Sequence, residues 1–254
     1  MKRLKGLLLL ILLVLTIKVS FASQALASLY NQANHFYQKK DFSKAIELYE
    51  KVVKSGVSNS DLFYNLANAY YQEGELAKAV LYWWRAEKLS PRDPDVRYNL
   101  KLVNSRINQK LPAQSPPKAS RYFHYIRDLA SSKEWGILLS ISIWAFWLFL
   151  CLRILFSSRR LAKVLNIVLG ICLVAILFFS FCFGFRRHWE RAPYAVVLEE
   201  HLKLRSGPGK DFSSILELPE GTRVLIKECR SGYCQVELGS GISGWVLGEK
   251  LEQI

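Results

Sequence analysis

The residues with the means for bond-making chemistry are four histidines, five cysteines and one glycine-rich turn, and their spacing does not assemble a reaction centre. His35, His124, His188 and His201 fall in four separate segments, and no Cys-x-x-Cys or His-Glu-x-x-His spacing occurs to chelate a metal. Ser206 to Asp211 reads SGPGKD, with the glycines and lysine of a phosphate loop. Its setting is a strand and a turn, without the helix start whose free N–H groups would hold the phosphate. Cys229 and Cys234 flank Arg-Ser-Gly-Tyr in an expected β-hairpin, a setting that favours structure over thiol exchange. The pair is open to two states: a cross-strand disulfide if this part lies outside the cytoplasm, and two thiols otherwise. No catalytic, cofactor-binding or metal-ligating set emerges, and the expectation is a protein that is not an enzyme.

A different set of side chains does recur. Aligning LYNQANHFYQKKDFSKAIELYEKVV with FYNLANAYYQEGELAKAVLYWWRAE places Leu29 on Phe63, Ala33 on Ala67, Phe36 on Tyr70, Ala45 on Ala79, Tyr49 on Trp83 and Val52 on Ala86, always 34 residues apart. The small residues let paired helices approach, and the aromatic ones fill between units. A third copy begins with Asp95, Tyr98, Asn99 and Leu100 but has no second helix. Helices are expected near 24–39, 42–55, 59–73, 76–89 and 94–109, the last of them capping the array. With Pro91 ending the second unit, this pattern resembles the tetratricopeptide repeat.

The polar members of the repeat are Tyr30, Tyr64 and Tyr98, then Asn31, Asn65 and Asn99, with the pairs Asn34 and Asn68, Tyr37 and Tyr71, and Gln38 and Gln72. They fall largely opposite the small residues, on the side that the resemblance makes a concave groove. Amides and phenols there can hydrogen-bond the backbone of a partner's segment while offering apolar area. The same groups could instead bond across neighbouring helices.

These helices must be positioned by the rest of the chain, whose centre is strongly apolar. Trp135 to Leu152 and Val164 to Phe185 contain no charge, and a bilayer core of roughly 30 Å needs about 20 such residues per helix. Spans are expected over 135–156 and 164–185, joined by a loop at 157–163. Two spans return the chain to its starting side, so the soluble parts share one compartment. The loop carries Arg159, Arg160 and Lys163, which the positive-inside rule assigns to the cytoplasm. Arg186, Arg187 and Arg191 beyond the second span oppose that count; the leader and the parity of the hairpin take precedence. Residues 1–22 have a basic start, an apolar run from Leu7 to Ile17 and a small-residue ending, the form of a secretory signal peptide. The expected location is therefore a membrane, with both soluble parts on its exported side.

The net charge of +14 suggests nucleic acid until it is located. Eight of the basic residues (Lys2, Arg3, Lys5, Lys18, Arg153, Arg159, Arg160 and Lys163) border the leader or the hairpin loop. Residues 24–111 carry 13 basic and 9 acidic groups, and residues 186–254 carry 10 of each, so no basic stripe for nucleic acid remains. Cys151, Cys172 and Cys182 lie in or beside the spans as small apolar filler. Between array and membrane, 111–120 is a proline-rich linker. Arg121 to Glu134 then reads as an interfacial helix with Tyr122, Phe123 and Tyr125 at the headgroups.

From residue 190 onward, short β-rich runs alternate with turns, as in a small all-β barrel. The succession Leu204-Arg205-Ser206-Gly207-Pro208, Leu218-Pro219-Glu220-Gly221-Thr222, Gly232-Tyr233 and Gly244-Trp245-Val246 resembles a bacterial SH3-like domain. Tyr233 stands where that family often has tryptophan. The fold class expected is multidomain: all-α repeats (23–110), a transmembrane α-hairpin and a small all-β SH3-like barrel (190–254).

The whole order, with SSKEWGILLS entering the first span and the ending GWVLGEKLEQI, resembles the BatE-type proteins of the bacterial aerotolerance operon. The resemblance implies a membrane-anchored scaffold. Its implied partners are Bat-type membrane proteins with von Willebrand factor A domains, with a link to a MoxR-type ATPase. The other function open to this architecture is tethering to peptidoglycan through the SH3-like domain.

Overall fold

The computed structural model describes residues 24–109, 111, 129–156 and 158–254. The leader, its cleavage site, most of the proline-rich linker and the aromatic residues Tyr122, Phe123 and Tyr125 lie outside the described residues. The described residues divide into two compact units, one up to Ala86 and the other from Glu87 onward.

In the first unit, α1 (24–38) is followed by α2 (Phe42–Lys54), α3 (Ser60–Glu73) and α4 (Leu76–Leu89), whose last three residues fall in the second unit. Local chemistry sets their ends. Asp41 caps α2 by accepting from the Lys44 N–H, and Asn59 caps α3 by accepting from the N–H groups of Asp61 and Leu62 at 2.7 and 3.3 Å. Gly74 ends α3 at φ 89°, a left-handed conformation that a side chain would strain. Most of the repeat positions that the 34-residue offset singles out lie in the core, among them Ala33, Ala45, Tyr49, Leu66, Ala67, Ala79, Trp83 and Ala86, while Leu29 and Phe36 are half-buried.

The second unit begins with residues 87–93 and α5 (Pro94–Gln109), which has proline at its first position, where no N–H is needed, and Asp93 as its cap. Helix α5, expected from sequence to cap the array, thus groups with the hairpin and the sheet. Two long apolar helices follow, α6 (Ser132–Leu155) and α7 (Arg159–Arg191). Both exceed the uncharged runs. Helix α6 starts three residues before Trp135 because Ser131 and Glu134 form a reciprocal capping box, so Lys133 and Glu134 belong to this helix and not to a separate interfacial one. Helix α7 takes in the loop residues Arg159 to Lys163 and continues through Arg186 to Arg191, since arginine, lysine and leucine are good helix formers. It stops before Pro193, which disfavours helical backbone in the residue ahead of it.

The two helices pair antiparallel. Trp135 near the start of α6 lies against Phe178 and Phe179 of α7, with ring centroids 6.3 and 6.0 Å away, and Cys182 and Ala130 complete that small core. At the other end, Arg153 Nε donates to Asn166 Oδ1 at 3.2 Å. Almost none of the apolar surface of either helix is buried, and Trp144 is 76% exposed. A water-soluble protein does not tolerate a surface of that size. Both helices are long and apolar enough to cross a membrane, as fits a membrane-anchored protein.

At the end of the hairpin marked by Trp135, one charge is buried. Arg186 is 3% exposed, its Nε donates to Glu190 Oε1 at 2.9 Å, and its Nη2 donates to the Lys88 carbonyl at 3.3 Å. The Ser132 N–H approaches the same Glu190 oxygen at 3.4 Å, Arg92 pairs with Glu134, and Lys88 Nζ donates to the carbonyl of Ile254 at 3.2 Å. Four stretches of the second unit thus meet at that end.

Only Ala192 and Pro193 separate α7 from β1 (Tyr194–Val197). The remaining strands are β2 (Leu202–Arg205), β3 (Ser214–Leu218), β4 (Arg223–Arg230), β5 (Tyr233–Glu237), β6 (Ser243–Leu247) and β7 (Leu251–Gln253). They form one antiparallel sheet in the order β3-β2-β6-β5-β4-β1-β7, the SH3-like fold expected. Its buried side comes from alternate positions such as Val196, Leu202, Leu204, Val224, Val236 and Val246. Gly244 is needed where β6 crosses β2, because a Cβ there would lie 2.7 Å from the Arg205 carbonyl oxygen.

Candidate partner-binding face of the helical repeats

Three asparagines of the repeat, Asn34, Asn65 and Asn68, bond to neighbouring helices of the array. Tyr49 donates its hydroxyl to Asn34 Oδ1 at 2.5 Å, and Trp83 donates its indole N–H to Asn68 Oδ1 at 3.0 Å. These are one interaction made twice: each pair is separated by 15 residues, and both members shift by the repeat length. An aromatic donor buried between helices needs an acceptor, and the amide of the first helix supplies it. A second bond runs between units. Asn65 Nδ2 donates to the Tyr30 hydroxyl at 2.8 Å and lies 3.3 Å from Asn34 Oδ1, so α3 is tied to α1 through the same asparagine that holds Tyr49.

Of the residues expected to line a groove, Tyr30, Asn34, Asn65 and Asn68 are thus engaged in the framework. Tyr37, Tyr64 and Tyr71 are half-buried on α1 and α3, Asn31 is exposed, and Gln38 and Gln72 are exposed. Tyr37 lies beside Phe42 and Tyr71 beside Trp83, with ring centroids 5.4 and 5.5 Å apart. Tyr98 and Asn99 stand on α5, in the second unit. The sequence signal for the framework role is the 15-residue spacing from each asparagine to an aromatic donor in the following helix, which periodicity alone does not single out.

Charge states follow from burial. Desolvation pushes the Tyr49 phenol well above its ordinary range, with Tyr30 and Tyr37 nearby adding to the shift, and desolvation followed by the proximity of Tyr64 raises Tyr37. Tyr37 and Tyr49 therefore keep neutral hydroxyls, whose means of interaction are hydrogen bonds and apolar area. Glu50 differs: Lys54 first and the Tyr70 hydroxyl second hold its carboxyl below the usual range. Because the two phenols are raised in the fold, their contribution to stability is fully present below the unfolded phenol value of about 10. It is lost as pH rises through the folded values. Circular dichroism followed with phenolate absorbance is expected to show the repeat helices unchanged through neutral pH and weakening only in strong alkali. Tyr49→Phe is expected to move that loss to higher pH; an unchanged onset would remove Tyr49 as its cause.

In the sheet, Cys229 and Cys234 occupy directly paired positions of β4 and β5 and are disulfide-bonded. Trp245 is half-buried and pairs in register with Arg205 on one side and Gln235 on the other. Among the described residues no group of His, Cys, Asp and Glu side chains could hold a metal ion.

Compared with known families, residues 30–95 match the tetratricopeptide repeat and residues 200–252 match the bacterial SH3 domain. No curated protein matches the chain. The protein thus joins a tetratricopeptide-type helical region to a bacterial SH3-like sheet through two helices long and apolar enough to cross a membrane.

Proposed function

We propose that this protein is a scaffold of the bacterial inner membrane whose repeats and sheet both lie in the periplasm, and that its helical array holds a segment of a partner protein. The observation that carries this reading is the row Tyr37, Tyr64 and Tyr71. These phenols stay half-exposed on α1 and α3, while Asn34, Asn65 and Asn68 fix the helices that present them. Asn31 extends the set, and Tyr30, Asn34, Asn65 and Asn68 position it. The repeat match supports protein partners in general. The resemblance to BatE-type proteins supplies the finer assignment: von Willebrand factor A-type Bat proteins in the same membrane, linked to a MoxR-type ATPase on the cytoplasmic side. The leader, the parity of two spans, the basic loop and a disulfide in the sheet all favour the periplasmic orientation. Arg186, one of the charges that oppose it, is buried against Glu190.

The test is co-purification from detergent-solubilised membranes, comparing the wild-type chain with Tyr37→Ala/Tyr64→Ala. Loss of the von Willebrand-type partner at unchanged expression is expected, and an unchanged partner set would sink the reading. The bacterial SH3 match favours a second one, in which the sheet holds peptidoglycan. Full-length protein in micelles should then sediment with purified wall sacculi, and failure to do so rejects it.

A further inference from the structure

Helix α5 buries Val96, Leu100, Val103 and Ile107, which lie three or four residues apart and form one stripe. At 100° per residue, the opposite side centres on Tyr98 and Leu102, one turn apart, with Arg97 and Lys101 along one flank and Arg106 along the other. All five side chains are exposed, Tyr98 by 67% and Leu102 by 36%. A helix that only closes an array should be polar on this side. Leu102 makes the point sharply, because it stands at the repeat position of Asn34 and Asn68. The residue 15 positions further on, which supplies the aromatic donor in the two repeats, is Pro117, so the acceptor has lost its purpose. Any polar side chain would have suited water there, and the chain carries leucine. No ion pair among the described residues engages Arg97, Lys101 or Arg106, and the one acid on this side, Asp95, sits in the first turn, where the helix dipole favours it.

We propose that this face docks an acidic segment of a partner protein, with apolar anchors on Tyr98 and Leu102 and carboxylates opposite Arg97, Lys101 and Arg106. The proposal rests on reading the helical array as protein-binding and adds the chemistry of what is bound. An anionic lipid surface is the other occupant with matching charge. It fits less well, because a helix lying in a bilayer commits its broad apolar stripe to lipid, and the broad stripe of α5 is buried in the protein.

The probe is a fluorescent synthetic helix-forming peptide with leucines four residues apart flanked by glutamates, compared with its glutamine counterpart. Both are titrated onto the full chain in phosphatidylcholine nanodiscs. The acidic peptide is expected to bind about tenfold more tightly, with the difference shrinking as salt is raised. Arg97→Gln/Lys101→Gln/Arg106→Gln should erase the preference and leave the weaker glutamine peptide unchanged. Equal binding of the two peptides, binding of neither, or an unaffected triple variant would each overturn the proposal. So would displacement of the acidic peptide by phosphatidylglycerol in the disc, which would assign the face to lipid. Co-purification of the membrane partner and its loss in Tyr37→Ala/Tyr64→Ala are read separately. A failed peptide assay beside an intact tyrosine-dependent partner therefore rejects the acidic chemistry alone.

Discussion

Removing the carboxylate of Glu190 as alanine should cost about 3–5 kcal/mol of stability, the range for stripping one member from a buried ion pair. The side chain of Arg186 is 4% exposed and that of Glu190 15%, so little water is at hand to replace the lost partner. The same Glu190 oxygen is the one that the Ser132 N–H approaches, so the start of α6 and the end of α7 are expected to loosen together. Thermal unfolding of the detergent-solubilised protein, with limited proteolysis near residue 131 as a local readout, measures this. The double variant Arg186→Met/Glu190→Leu should recover much of the loss, since a buried pair costs desolvation that apolar side chains of similar volume avoid. A Glu190→Ala protein as stable as the wild type would show that the pair contributes nothing.

Trp83→Ala is the second large effect expected, at about 3–5 kcal/mol for emptying a fully buried tryptophan site. Trp83→Phe separates packing from hydrogen bonding, because it keeps most of the apolar volume and deletes the N–H that reaches Asn68. Its residual loss should be about 1–3 kcal/mol, the range for a hydrogen bond broken from one side. Repeat symmetry supplies the control. Asn34→Ala takes the acceptor from the buried Tyr49 hydroxyl and should fall in the same range, whereas Asn34→Leu/Tyr49→Phe removes both partners and should lie closer to wild type. Urea unfolding followed by helix content gives all four values. A double variant no closer to wild type than Asn34→Ala would refute the coupling of amide and aromatic donor.

The helices were readable because an offset of 34 residues aligns small on small and aromatic on aromatic, and packing leaves few other solutions for such a pattern. The role of the amides was not readable to the same degree. Periodicity places Asn34, Asn65 and Asn68 on a side of a helix, but whether that side meets a ligand or another helix depends on how far the next helix stands away. The structure puts Tyr30, Tyr49 and Trp83 within hydrogen-bonding distance. The spans were likewise legible as apolar runs, while their ends were not. A window of hydropathy stops at the first charge, and Arg159 or Arg187 can sit in a helix that continues into water. Arg186 is the clearest instance: in sequence it counts against the orientation, and in three dimensions it is buried beside Glu190.

The joint of two residues between α7 and β1 limits reach. Arg186 to Arg191 carry the helix about 9 Å past the last uncharged residue, and Ala192 with Pro193 can add at most about 7 Å. With α6 and α7 in the membrane as proposed, and no longer leash, the sheet samples only the thin layer of solvent next to the bilayer. Under the proposed function a ligand of the sheet must already be at the membrane, or be drawn there, so that binding becomes a search in two dimensions. A ligand carried on a membrane protein meets that condition at once, and a strand of wall material meets it only where the wall comes within a domain's width of the lipid.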